Sequence, residues 1–244
     1  MKNIITFNME RGFVSKAQIE KVLSFLAEDG SAATFFVNGI EAEKNPRIVK
    51  LIHNNGHEIA SHGYDGTPVY KQTHAEFRED IGKTITLLED ITGEYLYGYR
   101  APGWTITETS AWALPYLKNQ GFLYDSSLYP QKHPGYGIMK GPRLPCLINI
   151  NRDGSEKFLE VPPSSLNFFD YRFGFSAGML RQCPRFLLLN QISSISSTGN
   201  PVICYLEPQE LDTCRKILKW YLMQEATLTI KDYFAGKGFF NNAV

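Results

Sequence analysis

Several residues able to do acid–base or ligand chemistry fall at one kind of place in this chain. Asn8 and Glu10, His62, Arg100, Asp125 and Glu207 each follow or close a short apolar run. In sheets and barrels built from βα units, the ends of such runs are where sites are assembled. One polar residue at a strand end is a cheap coincidence; five strands ending this way make a shared site the better reading. His62 is the centre of it. The stretch from Gly56 to Gly66 carries a short strand, Glu58 to Ser61, that delivers His62 to the start of a loop. An imidazole there can ligate a metal or move a proton, and the carboxylates of Glu10, Asp125 and Glu207 are candidate bases, acids or cation ligands.

The elements that must position these groups alternate. Strands are expected at Ile4–Phe7, Ala33–Val37, Glu58–Ser61, Tyr97–Arg100, Phe122–Asp125, Phe158–Val161 and Val202–Leu206. Between them, apolar residues spaced for one helical face predict helices over Ser15–Asp29, Asn45–Asn55, a segment opened by the capping-box pattern Thr73–Glu76 and closed at Gly93, Thr107–Gln120, Leu180–Ser197 after Pro184, Glu210–Gln224 and Thr229–Phe234. About seven strands alternating with helices imply an α/β fold with a mainly parallel sheet. Ser127 to Asp153, rich in Pro, Gly and Tyr and without a clear period, reads as one long loop over a face of the molecule, a common place for specificity. No linker or repeat divides the chain, so one domain over residues 1–244 is expected.

Bulk numbers narrow the partners. Of 244 residues, 43% are hydrophobic and 20% charged, as for a globular protein with a full core, and the formal net charge is zero. That balance argues against non-specific binding to nucleic acid or to an acidic membrane surface, and leaves a neutral sugar or amide open. No run is long enough to span a bilayer. The start of the chain has no leader pattern, and Cys146, Cys183, Cys204 and Cys214 lack CxxC spacing, so free thiols and a cytoplasmic location are the expectation. Oligomeric state cannot be read from the sequence.

The segments Ile5–Glu10, Ala33–Val37, Gly56–Tyr64, Gly98–Pro102, Tyr124–Ser127 and Val161–Ser164 together resemble, in order, the polysaccharide deacetylase family (NodB homology, carbohydrate esterase 4), and most closely its exopolysaccharide-cluster branch. The resemblance implies a distorted, incomplete (β/α) barrel of about seven parallel strands. It also implies removal of an acetyl group from a sugar: a divalent metal (Zn, Co or Ni) polarises the attacking water and the acetyl carbonyl, a carboxylate takes the proton, and a histidine protonates the leaving group. Such a metal is held by an acid and two histidines four residues apart.

Position by position, the chain departs from that pattern. The base position holds Asn8, whose amide has no useful proton affinity. Glu10 remains as an acid that could serve as ligand, with Arg11 following it. The first histidine is His62, but Gly66 stands where its partner belongs. The acid histidine before a proline is replaced by Glu207, while Arg100 and Asp125, the family's supporting residues, are kept. Three consequences are open at this stage. The chain binds a saccharide without conventional deacetylation, aided by aromatics such as Tyr129 and Tyr136. Alternatively, it hydrolyses a C–N bond of a cyclic ureide, amide or modified sugar without metal, using Glu10, His62 and Glu207, with Asp125 and Glu207 as a close carboxyl pair that Arg100 would otherwise neutralise. Or substitute ligands, Asp65 and Glu207 with Glu10 and His62, or His133 from the long loop, complete a metal site.

Overall fold

The computed structural model describes residues 2–10, 12, 15–129, 137, 141–151, 153–168 and 171–240. The strands are β1 (Ile4–Met9), β2 (Thr34–Val37), β3 (Glu58–Ser61), β4 (Gly98–Tyr99), β5 (Tyr124–Asp125), β6 (Cys146–Asn149), β7 (Lys157–Glu160), β8 (Ser165–Phe168), β9 (Tyr171–Gly174) and β10 (Ile203–Leu206). Eight of them make one curled sheet in the order β10-β1-β2-β3-β4-β5-β7-β6, and β8 and β9 form a separate hairpin. The seven strands expected from the sequence are the seven that pair in parallel. Because each must bury both faces, they read as near-continuous apolar runs rather than as alternating ones.

The helices are α1 (Lys16–Ala27), α2 (Gly39–Lys44), α3 (Pro46–Asn54), α4 (His74–Thr92), α5 (Ala113–Asn119), α6 (Ala177–Gln182), α7 (Arg185–Ser197), α8 (Leu211–Tyr221) and α9 (Ile230–Gly236). Their starts follow side-chain chemistry. Ser15 and Thr73 each form a complete capping box, with Gln18 and with Glu76, and α4 stops at Gly93 in the left-handed region, φ 78°. Ile19, Val22, Leu23, Phe25 and Leu26 of α1 are buried in the same core as Phe7 and Phe35 of the sheet.

Three sequence expectations need correction. The long loop from Ser127 to Asp153 contains β6, which pairs antiparallel with β7 at the sheet edge. The helix expected over Thr107–Gln120 begins only at Ala113: Ser110 Oγ accepts from the Thr107 backbone N–H at 2.8 Å and donates to Thr105 O at 3.0 Å. A hydroxyl bonded to nearby backbone competes with the helical ladder, so that segment turns instead. The helix expected in Leu180–Ser197 after Pro184 is α7, and Pro184 separates it from α6, since proline lacks the N–H and forces its predecessor out of the helical region; Cys183 has ψ 130°. The short helix α2 and the β8–β9 hairpin carry no periodicity strong enough to have announced them.

Candidate functional site

The parallel register sets the site. β1 runs beside β2 and β10, β2 beside β3, and β3 beside β4, so the ends of these strands gather Asn8, Glu10, His62, Arg100 and Glu207 on one edge. His62 is 1% exposed. Its Nδ1 lies 2.7 Å from the carbonyl oxygen of Arg100. A carbonyl only accepts, so Nδ1 carries a proton and donates. Among the described residues its buried Nε2 has no hydrogen bond within ordinary distance, and Glu10 Oε1 stands 3.5 Å from it as an ion-pair partner of the imidazolium. Pairing with His62 holds the Glu10 carboxyl below its ordinary range, against a smaller opposing effect of burial.

Among the described residues Arg100 is the largest fully buried side chain, at 0% exposure. Its Nη1 donates to Thr6 Oγ1 at 2.9 Å and to Asn8 Oδ1 at 2.8 Å, and its Nη2 donates to Ser126 Oγ at 2.9 Å. The guanidinium carbon lies 3.8 Å from the Phe36 ring centroid and 4.5 Å from that of Trp104. Aromatic faces offer partial compensation to a desolvated cation. Each of these hydrogen-bond partners is neutral, and burial pulls the Arg100 pKa down to about 9. Trp104 sits at φ 59°, in the left-handed region a bulky residue seldom adopts, and its ring packs against Tyr129 and Tyr205 with centroids 5.1 Å away in each case. Tyr129 is 6% exposed, so its ring packs here rather than standing open to a sugar. Tyr136, His133 and Arg11 lie outside the described residues.

The expectation that Asp125 and Glu207 form a close carboxyl pair is corrected. The partner of Asp125 is Glu160, its register neighbour across β5 and β7, and both are fully buried. Asp125 accepts from the Ser127 N–H at 3.1 Å and hydroxyl at 2.6 Å, and Glu160 Oε1 accepts from Leu128 N–H at 3.1 Å. Burial and the Asp125 charge push the Glu160 pKa well above the usual carboxylate range, so Glu160 keeps its proton; burial also raises Asp125. Arg100 therefore does not neutralise an Asp125–Glu207 pair. Glu160 was legible as the polar end of the predicted strand Phe158–Val161, the same signal that marked the others. Glu207 instead stands in the field of Glu10 and Glu210, which adds to burial in raising its pKa.

The Asp65 arm of the substitute-ligand scheme is not supported by the geometry of the described residues. Asp65 Oδ1 accepts from Thr67 N–H at 2.8 Å, a local turn, with Gly66 at φ 84°. The loop between His62 and Gly66 is fixed from outside by Asp80, whose carboxylate oxygens accept from Tyr64 N–H at 3.0 and 3.1 Å; burial raises the Asp80 pKa to about 6. Among the described residues, no group of three or more His, Cys, Asp or Glu side chains could hold a metal. The Glu10–His62 donor set, with glycine at the third position, does not fit the family's metal.

Comparison with known proteins identifies the family and the fold. Residues 3–122 match the polysaccharide deacetylase family, and residues 126–232 match a domain family of unknown function, DUF3473. A peptidoglycan deacetylase of Helicobacter pylori is 30% identical over 135 residues, 55% of this chain and 45% of that protein. A peptidoglycan-N-acetylglucosamine deacetylase of Bacillus cereus is 38% identical over 103 residues, 42% of this chain and 36% of that protein. The chain thus spans less than half the length of these curated relatives. The fold superposes on a protein described as a polysaccharide deacetylase from Mycobacterium smegmatis (TM-score 0.71, 19% identity, 100% of this chain and 92% of that one). It also superposes on a carbohydrate esterase 4 pseudoenzyme from Bacillus anthracis (TM-score 0.57, 12% identity, 95% and 65%). Residues 3–122 of this chain belong to the polysaccharide deacetylase family, with the NodB-homology fold of carbohydrate esterase 4.

Proposed function

We propose that this chain binds a saccharide of the cell-wall or surface-polysaccharide type at the Glu10–His62 edge, without deacetylating it by the metal route of its family, and so serves polysaccharide assembly as a binding protein. The observation carrying this reading is Asn8. Its Oδ1 accepts a 2.8 Å hydrogen bond from Arg100, in the place where the family keeps its proton acceptor. An amide there can be held by Arg100 but cannot take a proton from water. Loss of the second imidazole at Gly66 and of the acid imidazole at Glu207 points the same way. The relatives named above act on peptidoglycan, which supports an N-acetylhexosamine polymer as the ligand.

The test is to incubate the protein with chitooligosaccharides and peptidoglycan fragments, with zinc, cobalt or nickel added. Calorimetry should detect binding while acetate release stays at the blank. Acetate release would overturn the reading of Asn8, and the lack of binding to every saccharide would overturn the recognition half.

A second reading rests on a separate observation: Glu10 is held low while Glu207 is raised. Neighbouring carboxyls with opposed shifts suit a base and an acid. In this alternative, Glu10 and Glu207 hydrolyse a C–N bond of a cyclic ureide or amide without metal. Turnover of such a substrate that disappears in Glu10→Gln would favour it over the first reading.

The frame itself predicts a reversal. The variant carrying Asn8→Asp, Gly66→His and Glu207→His should take up one equivalent of zinc, cobalt or nickel, read by metal analysis after dialysis. A Cβ at position 66 would meet only Asn38 Nδ2, at 3.9 Å, so there is room, but φ 84° is costly for any side chain. The strain should lower stability by about 1–2 kcal/mol relative to the variant lacking the Gly66 change. Failure to bind metal would mean that the loop directs the new imidazole away from His62.

A further inference from the structure

We infer that the chain has a second ligand site at the opposite pole of the sheet: a cleft at the amino-terminal ends of β3 and β4 that takes one ring of a neutral hexopyranose. The Glu10–His62 edge lies past the other ends of β1 and β3, so this inference stands apart from it. The cleft measures about 270 Å³ and opens between the end of α3, the turn from α4 into β4 and the start of α9. Buried Glu58 lines it but is already satisfied: its carboxyl oxygens accept from Thr34 Oγ1 at 2.7 Å, Tyr124 OH at 2.9 Å and Lys231 N–H at 3.1 Å. His57 beside it is not. The Ala33 N–H donates to His57 Nδ1 at 3.4 Å, which makes that nitrogen the acceptor and puts the ring proton on Nε2. Burial pulls the His57 pKa down to about 4, so the ring is neutral and Nε2–H is its one donor. Among the described residues none accepts that proton, and the ring lines the cleft. Acceptors stand at the mouth. The Glu94 oxygens lie 4.0 Å from His53 Nε2 and 3.5 Å from Lys231 Nζ, on a side chain that is 56% exposed and so reachable. Tyr95 is 78% exposed, and neither its ring nor its hydroxyl meets a partner among the described residues.

This mixture of groups selects the ligand class. An anion would be met by Lys231 and the His57 N–H, and repelled by Glu94 and Asp232. A cation would be met by Glu94, and repelled by Lys231. A hydroxyl both donates and accepts, so one polyol ring answers His57 with an oxygen and Glu94 with an O–H. The C–H groups along one face of a pyranose carry the slight positive charge that an aromatic face attracts, which suits the uncovered Tyr95 ring. The volume lies below the range of about 300–1,000 Å³ that drug-sized ligands occupy, so the cleft holds one ring and not a chain. Fold stability alone accounts for Glu58, whose partners the protein supplies. It gives no account of a buried imidazole N–H without an acceptor beside an uncovered tyrosine.

Nuclear magnetic resonance on the intact chain, labelled with heavy nitrogen in histidine, reads the site directly. The His57 Nε2 signal is assigned by its absence from His57→Gln. Glucose, galactose and N-acetylglucosamine are titrated separately, with sodium phosphate and ethylammonium chloride as charged controls. At least one sugar should move the signal saturably, with a Kd of about 1 mM, while phosphate and ethylammonium leave it in place. Tyr95→Ala, at an exposed position and checked for folding by circular dichroism, should weaken that sugar about five- to tenfold, the upper part of the range for one aromatic contact. Glu10→Gln should titrate as the wild-type chain does. If no sugar moves the signal, the inference is overturned. A shift with phosphate or ethylammonium in place of the sugars overturns it too, because the cleft would then select charge. So does an affinity unchanged in Tyr95→Ala, or one lost in Glu10→Gln, since the sugar would then sit elsewhere. None of these results touches the reading of the Glu10–His62 edge, which the binding and acetate measurements above decide.

Discussion

Asn8→Asp is expected to stabilise the protein by about 2–3 kcal/mol at neutral pH. The change is isosteric and places a carboxylate oxygen where Asn8 Oδ1 already accepts from Arg100 Nη1 at 2.8 Å. Arg100 is a fully buried cation whose hydrogen-bond partners are neutral. Removing one member of a buried ion pair costs about 3–5 kcal/mol because the survivor stays desolvated and unpaired. The native chain stands in the condition of such a variant, and a carboxylate at position 8 would reverse it, less some repulsion from Glu10 two residues further along the chain. The pH dependence has a definite sign. Pairing with Arg100 would depress the pKa of the introduced carboxyl below the unfolded value of about 3.9, so the gain is present above that pH and is lost as pH falls through the lower folded value. Urea unfolding at pH 7 and pH 3 measures it. A neutral or destabilising result at pH 7 would mean that the rings of Phe36 and Trp104, with Ser126, already compensate the guanidinium. Acetate release should remain absent, because Gly66 still withholds the second imidazole.

Why Asn8 could be judged from sequence and Glu160 was missed follows from what periodicity reports. The parallel strands stand out because both faces are buried, and the polar residue ending each run marks the shared edge. That signal found Asn8, Glu10, His62, Arg100, Asp125 and Glu207. It says where a residue sits along a strand and not which neighbouring strand it faces. Family geometry pairs Asp125 with Glu207, whereas the register couples β5 to β7 and sets Asp125 beside Glu160. Similarly, nothing in the composition of Pro102-Gly103-Trp104 foretells φ 59° at Trp104, since that conformation is held by its packing with Tyr129 and Tyr205. The edge strand β6 escaped for the opposite reason. Its residues alternate between half-buried and exposed, and its short apolar run Cys146-Leu147-Ile148 lies within a stretch otherwise dominated by turn formers, which masks it.

Glu160→Gln should flatten the fall in stability that the wild-type protein shows as pH rises. Glu160 and Asp125 are buried side by side, and the Glu160 pKa is pushed well above the usual carboxylate range by burial first and the Asp125 charge second. The unfolded chain loses this proton near the ordinary glutamate value, about 4.3, while the folded chain keeps it. Over that window the folded state binds one proton more, so unfolding becomes easier by about 1.4 kcal/mol for each pH unit, until pH reaches the raised folded value. Glutamine keeps the shape, can still accept from Leu128 N–H through its Oε1, and offers an N–H toward Asp125 with no proton to lose. Asp80, raised to about 6, adds a similar slope between its unfolded value and that pH, but it does so in both proteins and cancels in the difference. Urea midpoints taken at pH 5, 6, 7 and 8 should therefore diverge, with the variant gaining on wild type as pH rises until the folded Glu160 carboxyl ionises. Parallel curves would show that Glu160 is ionised in the folded protein. The counter-charge would then have to come from Arg100, the buried cation within the electrostatic reach of both carboxyls, and the two predictions would be tied. If Arg100 already spends its charge on Glu160, Asn8→Asp should yield little.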